Sequence, residues 1–251
     1  MGPHPQVARE SGSWGAFVGD FRWGIRTWRS APWFVVLVGA MWAASVAVDR
    51  SASFLSLPFA LVLAGFYGTQ WLFYLRLLTN RDLRPVEIPW ITIRCIGRFL
   101  RLGLLTLGPL IVALLVAVMR QGASNVSHAG RVRFTNHAQI FVILYELVID
   151  ALLTFVTPSL VYSTSSAVES IRLGLKRLRA TWPASAWYVL TPGLTLSLSA
   201  YLIPRSALGV GGAIGIAVAG GLLGFAFKGA IAPFFFRSLS NLDVRAGGAD
   251  P

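Results

Sequence analysis

The chain has 251 residues, of which 55% are hydrophobic and 13% are charged, whereas roughly 25% of the residues in a typical soluble domain are charged. This composition excludes an ordinary soluble globular protein and predicts an integral membrane protein. The formal charge is +12, from 22 Lys and Arg residues against 10 Asp and Glu residues. Because the basic residues lie between apolar segments, they indicate contact with anionic lipid, and we expect no nucleic-acid partner.

Six apolar segments are expected to cross the membrane as helices. They cover residues 32–48, 53–75, 102–119, 139–162, 184–203 and 207–236. Each is long enough, since a helix needs roughly 17 residues to cross the hydrocarbon core. We therefore predict a single all-α membrane domain over residues 1–251, with a flexible N-terminus at 1–12 and a polar tail at 238–251.

Three further segments, at residues 14–30, 87–101 and 166–182, have the pattern of amphipathic basic helices. Ser166 and Glu169 form a capping box, which predicts the start of the third of these helices. Arginine beside tryptophan or aliphatic residues is typical of helices that lie in the headgroup region. We expect their basic side chains to bind anionic lipid of the inner leaflet. The residues concerned are Arg22, Arg26, Arg29, Arg94, Arg98, Arg101, Arg172, Lys176 and Arg179.

The basic helices share one spacing, Arg-x-x-x-Arg/Lys-x-x-Arg, which begins at Arg22, Arg94 and Arg172. Each copy precedes a pair of predicted spans, which suggests three copies of a unit made of a basic helix, a span, an outer loop and a second span. Residues 73–82 also match residues 234–243 in the pattern Phe-x-x-Arg-x-Leu-(Thr/Ser)-Asn-x-Asp. The alternative is that arginine-rich segments beside membrane spans match by chance.

The distribution of positive charge predicts the topology. Sixteen Lys and Arg residues lie in the segments on one side of the predicted spans, and five lie on the other side. The positive-inside rule places the side with the excess in the cytoplasm, together with both termini. The bias toward Arg, Ala and Gly is typical of bacterial proteins, so we expect the bacterial inner membrane.

Glu146 and Asp150 are the sharpest functional signal, because both lie inside the predicted span 139–162 at the helical spacing i, i+4. A carboxylate inside the bilayer is costly and usually faces a bundle interior or an aqueous cavity. One interpretation is a site for a proton, a cation or a cationic substrate. The alternative is structural: the carboxyl groups bond hydroxyls such as Thr106 and Thr195, or a partner subunit.

Lys228, in the predicted sixth span, is a candidate counter-ion for Asp150. A rise of 1.5 Å per helical residue, however, places Lys228 about 10 Å nearer the cytoplasm than Asp150. We therefore expect the stem of Lys228 to lie in the membrane and its ammonium group to reach the inner interface.

The predicted sixth span is rich in glycine. Ala207, Gly211, Gly215 and Ala219 form one ridge of small residues, and Gly220 and Gly224 form a second. Small ridges let helix backbones approach closely, so we expect this helix at the centre of the bundle or at a contact with a partner protein or a second copy of the chain.

Enzyme motifs are absent from the sequence. It contains no Walker loop, no His-Glu-x-x-His and no Gly-x-Ser-x-Gly, and its three histidines, His4, His128 and His137, are dispersed. We therefore expect no catalytic residue, no metal site and no cofactor.

One stretch resembles a known family. The segments Phe155-Val-Thr-Pro158-Ser-Leu-Val-Tyr162 and 166–179 are similar to poorly characterised six-span bacterial inner-membrane proteins and to the membrane domain attached to some glycerophosphodiester phosphodiesterases. The resemblance implies a six-helix inner-membrane module, an accessory to lipid or envelope processes. No phosphodiesterase domain is present, so no catalytic residue carries over.

Two functions follow from these patterns. The first is a non-enzymatic accessory or scaffold subunit, which holds a partner through the sixth span and anionic lipid through the basic helices. The alternative is a small transporter or permease subunit that uses Glu146 and Asp150.

Overall fold

The computed structural model describes residues 13–51, 53–121, 136–202 and 209–247. Within these ranges the chain is almost wholly helical and contains no strand, which confirms the predicted all-α fold. The helices are α1 (Trp14–Arg26), α2 (Pro32–Ser51), α3 (Ser53–Leu78), α4 (Ile88–Gln121), α5 (Asn136–Tyr162), α6 (Ala167–Thr181), α7 (Ala186–Leu202) and α8 (Val210–Gly247).

Three helices contain segments that are long and apolar enough to cross a membrane: Pro32–Arg50, Phe54–Leu78 and Val210–Leu239. Helix α5 carries a shorter apolar stretch, Leu147–Tyr162. The protein is therefore membrane-embedded, and its first, second and sixth predicted spans have the length and hydropathy of membrane helices. The other three predicted spans stay predictions.

Two element boundaries differ from the sequence pattern. The basic segment at 87–101 and the predicted span at 102–119 belong to one continuous helix, α4. The polar tail predicted at 238–251 begins as helix, because α8 continues to Gly247. Residues 238–246 contain no proline or glycine, so no helix breaker stands between the apolar span and the tail.

Some predictions fall on parts of the chain that are not described. The flexible N-terminus predicted at 1–12, the histidines His4 and His128, and residues 248–251 of the tail all lie outside the described residues.

Five helices close into a ring in the order α2, α3, α5, α7 and α8, with α8 contacting α2. Helix α8 also contacts α3 and α5 across the ring, which gives it the central position expected for the sixth span. The remaining helices pack outside: α1 against α8, α4 against α3, and α6 against α5. Each basic segment therefore lies beside one long apolar helix of the ring.

A glycine allows close approach in each of these outer pairs. The pairs are Gly24 with Gly229 in α1 and α8, Gly65 with Thr92 in α3 and α4, and Gly174 with Val156 in α6 and α5. A Cβ atom on Gly24 would lie 2.9 Å from the backbone of Gly229, and one on Gly65 would overlap the carbonyl oxygen of Thr92. A larger residue at any of these glycines forces the two helices apart.

Gly24→Ala is therefore expected to destabilise the protein by about 1–3 kcal/mol, the usual cost of overpacking a tight contact. Gly19→Ala is the matched control, because Gly19 lies in the same helix and a Cβ added there would meet no described neighbour within 4 Å. Thermal unfolding in detergent measures both variants. Equal stability of the two would contradict the close packing of α1 on α8.

Aromatic rings fill one end of the ring of helices, which we call the basic end because α1 and α6 pack beside it. They are Phe34, Phe73, Tyr74, Phe155, Tyr188, Phe225 and Phe234, each at most 3% exposed. Tyr74 of α3 and Phe225 of α8 have ring centroids 4.7 Å apart, and Phe155 of α5 and Phe234 of α8 lie 5.9 Å apart. These contacts cross the ring and close it at the basic end.

A charged cluster at the basic end joins three helices. Arg237 of α8 donates to Asp20 of α1 through both terminal guanidinium nitrogens, and the Tyr188 hydroxyl of α7 donates to the same carboxylate at 2.5 Å. The Asp20 side chain is 14% exposed. The cluster therefore ties the N-terminal helix to the ring.

A second ion pair joins α3 to the 3-10 turn Pro85–Glu87, which precedes α4. Arg76 Nη1 lies 2.5 Å from Glu87 Oε2, and the Arg84 backbone amide donates to the same oxygen at 3.2 Å. The Arg84 amide first, and then Arg76, hold the pKa of the Glu87 carboxyl below its usual value. Arg76 and Arg237 occupy matching positions of the two similar segments, and both pair with a carboxylate near a basic helix.

This ion pair makes stability depend on pH. Because the pKa of Glu87 is lower in the folded protein than in the unfolded chain, its contribution is fully present above the unfolded pKa of about 4.3 and is lost as pH falls through the folded pKa. Between about pH 5 and pH 3, the wild-type unfolding midpoint should fall more than that of Glu87→Gln. Parallel pH profiles would show that Glu87 contributes nothing.

Candidate functional site

A cavity of about 670 Å³ lies inside the ring of helices. All five ring helices contribute to its wall, with Trp42 from α2, Tyr67 from α3, Asp150 from α5, Pro192 from α7 and Lys228 from α8 among the lining residues. Small-molecule sites typically have volumes of roughly 300–1,000 Å³. The cavity therefore has the size of a site for a small solute.

The cavity extends away from the basic end. Helix α3 lines it from Ser56 to Trp71, and α8 lines it from Ile216 to Ile231. A helix rises 1.5 Å per residue, so the cavity is about 22 Å long. Its floor lies against the aromatic rings of the basic end, and Asp49 and Ser56 line the part that is farthest from them.

Lys228 lies in the wall of this cavity. The residue is 5% exposed, its Nζ donates to Gln70 Oε1 at 2.8 Å, and Nζ lies 3.8 Å from the centroid of the Tyr67 ring. The expectation that Lys228 reaches the inner interface is therefore wrong. Its ammonium group is held inside the bundle because α3 supplies an amide acceptor and an aromatic face at the same depth.

No described carboxylate oxygen lies within 4.0 Å of the Lys228 ammonium group. Its neighbours are a neutral amide and an aromatic ring, which stabilise a cation less than a carboxylate does. A buried ammonium group that lacks a countercharge is costly in a membrane protein, and such residues usually mark substrate or ion pathways.

Asp150 lines the same cavity from α5. Its Cβ lies 3.9 Å from the position that a Cβ on Gly193 of α7 would occupy, so Asp150 stands where α5 and α7 cross. Tyr67 of α3, over whose ring the Lys228 ammonium group lies, lines the same cavity. The structure thus brings Asp150, Tyr67 and Lys228 together around one space.

The second predicted carboxylate is Glu146. Glu146 lies in α5 one turn before Asp150, but its side chain lies outside the described part of the chain. Of the hydroxyls that were candidate structural partners, Thr106 donates to Leu102 and Thr195 donates to Thr191, each to a backbone carbonyl of its own helix. Helix α5 is joined to α4 by the Tyr145 hydroxyl, which donates to the carbonyl of Thr106.

The predicted lipid-binding residues are mostly exposed. Arg98 is the half-buried member of the nine, and its guanidinium group donates to the carbonyl of Leu160 at 3.4 Å. The other eight are exposed, and Arg94 lies over the ring of Trp90 at 4.6 Å from its centroid. Exposed Val168 and Leu175 lie among the basic residues of α6. This surface has the composition of a helix that binds the membrane interface.

The sequence interpretation missed Arg177. It is buried in α6, donates to the Ser159 hydroxyl at 2.5 Å and to the Ser163 hydroxyl at 3.2 Å, and lies over the ring of Phe235. The buried face of α6 is made of Ala167, Ser170, Gly174 and Arg177. The helical spacing of the three small residues was the signal that could have placed Arg177 on this face.

The predicted glycine ridges divide into two groups. Gly220 and Gly224 line the cavity, whereas Gly211 and Gly215 are exposed. A Cβ on Gly211, Gly215 or Gly220 would meet nothing within 4 Å in the described chain. The close contacts of α8 occur instead at Gly221, against Trp42, and at Gly229, against α1.

The fold and the cavity define an all-helical, membrane-embedded protein with a charged internal site. No protein-family model, curated protein or solved structure matches the chain. The resemblance to the membrane domain of glycerophosphodiester phosphodiesterases stays a prediction.

Proposed function

We propose that this protein binds a small solute in the cavity and carries it across the membrane, as a permease or permease subunit. The observation that carries this proposal is Lys228, a cation buried in the cavity wall with an amide and an aromatic ring as its neighbours. A purely structural core gains stability from apolar residues at such a position, so a retained charge favours a binding role.

The proposed orientation places the protein in a bacterial inner membrane with six spans and both termini in the cytoplasm. Its basis is the excess of Lys and Arg at the basic end. The exposed basic residues of α1, α4 and α6 then bind anionic headgroups of the inner leaflet. In this orientation the cavity lies on the outer side of the aromatic floor.

The proposed internal repeat explains the three outer pairs. In each pair a basic helix packs through a close glycine contact on a long apolar helix, and in two of them an arginine near the end of the long helix pairs with a carboxylate. Three copied units joined in a ring would produce this arrangement.

The accessory function remains a second proposal, since one observation favours it. Gly211 and Gly215 form an exposed small-residue ridge on α8 that fits a close helix–helix contact with a partner protein or a second copy. Purification in mild detergent tests it. A complex that survives purification supports a partner role, and a lone monomer counts against it.

A solute panel tests the permease proposal. The purified protein is mixed with amino acids, organic acids, sugars and organic cations, and its unfolding midpoint is measured with each. We expect one class to raise the midpoint and to be taken up by proteoliposomes in labelled form. Lys228→Met should remove both effects. A well-folded protein that responds to no class would favour the accessory function instead.

A further inference from the structure

Lys228 is a buried cation with hydrogen-bonding capacity to spare. An ammonium group has three N–H donors. Within the described part of the chain, one of them bonds Gln70 Oε1 at 2.8 Å, and the ring of Tyr67 lies beside the group with its centroid 3.8 Å from Nζ. The residue is 5% exposed and lines the cavity. The Lys228 ammonium can therefore donate to an acceptor that enters the cavity.

A second donor without an acceptor belongs to the same wall. Trp42 of α2 lines the cavity, and its buried indole Nε1–H has no hydrogen-bond partner in the described chain. Trp42 packs on Gly221 of α8, seven residues before Lys228, so the two donors lie about 10 Å apart along the axis of α8. Buried donors are normally paired. Both residues therefore favour a solute that carries hydrogen-bond acceptors.

The composition of the wall limits the charge of the solute. Among the described lining residues Lys228 is the single basic one, and Asp49 and Asp150 are acidic. A second negative charge on the solute would find no further described cation in the wall. The rest of the wall is mainly apolar and includes Leu63 and Phe227. The cavity therefore suits one negative charge on an otherwise apolar molecule.

From these features we infer that the solute is an apolar organic anion, whose single carboxylate accepts hydrogen bonds from the Lys228 ammonium. The inference rests on the proposed function, since it names the solute class for the same cavity. The carboxylate supplies the countercharge that Lys228 lacks within the described chain, and this pairing offsets the cost of the buried charge. A neutral solute leaves the ammonium without a countercharge, and a cationic solute adds repulsion.

Three probes that share one apolar chain and differ in charge test the inference. Isocaproate is anionic, isocaproamide is neutral and isohexylamine is cationic at neutral pH. Calorimetry on the full-length protein in detergent measures their dissociation constants. We expect isocaproate to bind at least about tenfold more tightly than isocaproamide, because a hydrogen bond between two charged groups is roughly twice as strong as one between neutral groups. Isohexylamine should bind most weakly.

Lys228→Met should remove the preference for the carboxylate. The affinity for isocaproate should fall at least about tenfold, to that for isocaproamide, whereas the affinity for isocaproamide itself should change far less. A general loss of structure at the cavity would weaken both probes alike. Asp49→Asn is the control, because Asp49 lines the part of the cavity farthest from the aromatic floor, and it should keep the wild-type preference.

The inference is overturned if isocaproamide or isohexylamine binds the wild-type protein as tightly as isocaproate does. A preference for isocaproate that Lys228→Met leaves unchanged also overturns it, because the anionic group then lies elsewhere. If none of the three probes binds while the amino acids, sugars or organic cations of the solute panel do, the inference fails and the permease proposal stands. If no solute class binds, both fail. If Lys228→Met does not fold, the wild-type comparison still decides.

Discussion

The double variant Lys228→Met, Gln70→Leu is expected to be more stable than the wild-type protein and unable to bind solute. Lys228 and Gln70 are 5% and 1% exposed and bond each other inside the bundle. Replacing buried ionic groups together with their partners by apolar residues of similar size is often neutral or stabilising by about 1–4 kcal/mol, and we expect the same sign for this cation and its amide partner. The same change removes the buried cation on which the proposed solute site depends.

The two single variants are each expected to be less stable than the double variant. Gln70→Leu leaves the Lys228 ammonium without its acceptor and should destabilise the protein by about 3 kcal/mol. Lys228→Met leaves the Gln70 oxygen unpaired, which costs about 1–3 kcal/mol, so its gain in stability should be smaller than that of the double variant. Reversible unfolding measures all three proteins. A double variant that is less stable than either single variant would mean that Lys228 is a structural residue.

Asp20→Asn is expected to destabilise the protein by weakening the attachment of α1 to the ring of helices. The Asp20 carboxylate accepts hydrogen bonds from Arg237 and from Tyr188, so its loss leaves a half-buried guanidinium group without its charge partner. Breaking a buried pair costs about 3–5 kcal/mol; because Arg237 is 40% exposed, we expect about 2 kcal/mol after solvent screening.

A matched control and a double variant test whether the loss of stability comes from the interaction of Asp20 with Arg237. Asp82→Asn removes the same charge from an exposed residue near the end of α3 and should change stability by less than about 0.5 kcal/mol. Asp20→Asn combined with Arg237→Met should be less destabilising than the two changes added together, because no charge is left unpaired. Strict additivity would show that the two residues do not depend on each other.

Local sequence patterns predicted the helices well because each pattern is a property of one helix. The capping residue Ser166 accepts a hydrogen bond from the backbone of Glu169, as the capping box predicts. The apolar length of α2, α3 and α8 likewise follows from composition alone. The prediction that Asp150 faces a bundle interior or a cavity rests on the cost of a charge in lipid, and Asp150 does line the cavity.

The position of Lys228 and the close contacts between helices depend on which helices pack together. The periodicity of a single helix does not reveal its neighbours. Lys228 was expected at the interface because its depth was judged from α8 alone, whereas Gln70 and Tyr67 of α3 hold it inside. The close contact at Gly229 depends on Gly24, which lies far away in the sequence. Such pairings arise only when the ring closes.

A solute can bind only if the cavity is open to water inside the membrane protein, and thiol labelling tests this most directly. Cys95 is the single cysteine and is buried, so Cys95→Ala gives a background without reactive thiols. Ser45→Cys then places a thiol on the cavity wall, and Ala44→Cys places one on the adjacent residue, which does not line the cavity.

A membrane-impermeant maleimide is applied to sealed vesicles of each orientation. We expect Ser45→Cys to react when the reagent is on the side opposite the basic helices, and the bound solute to slow this reaction. Ala44→Cys should stay unlabelled in both orientations, because Ala44 does not line the cavity. If Ser45→Cys is no more reactive than Ala44→Cys, the cavity is closed to water and the account of a solute site is wrong.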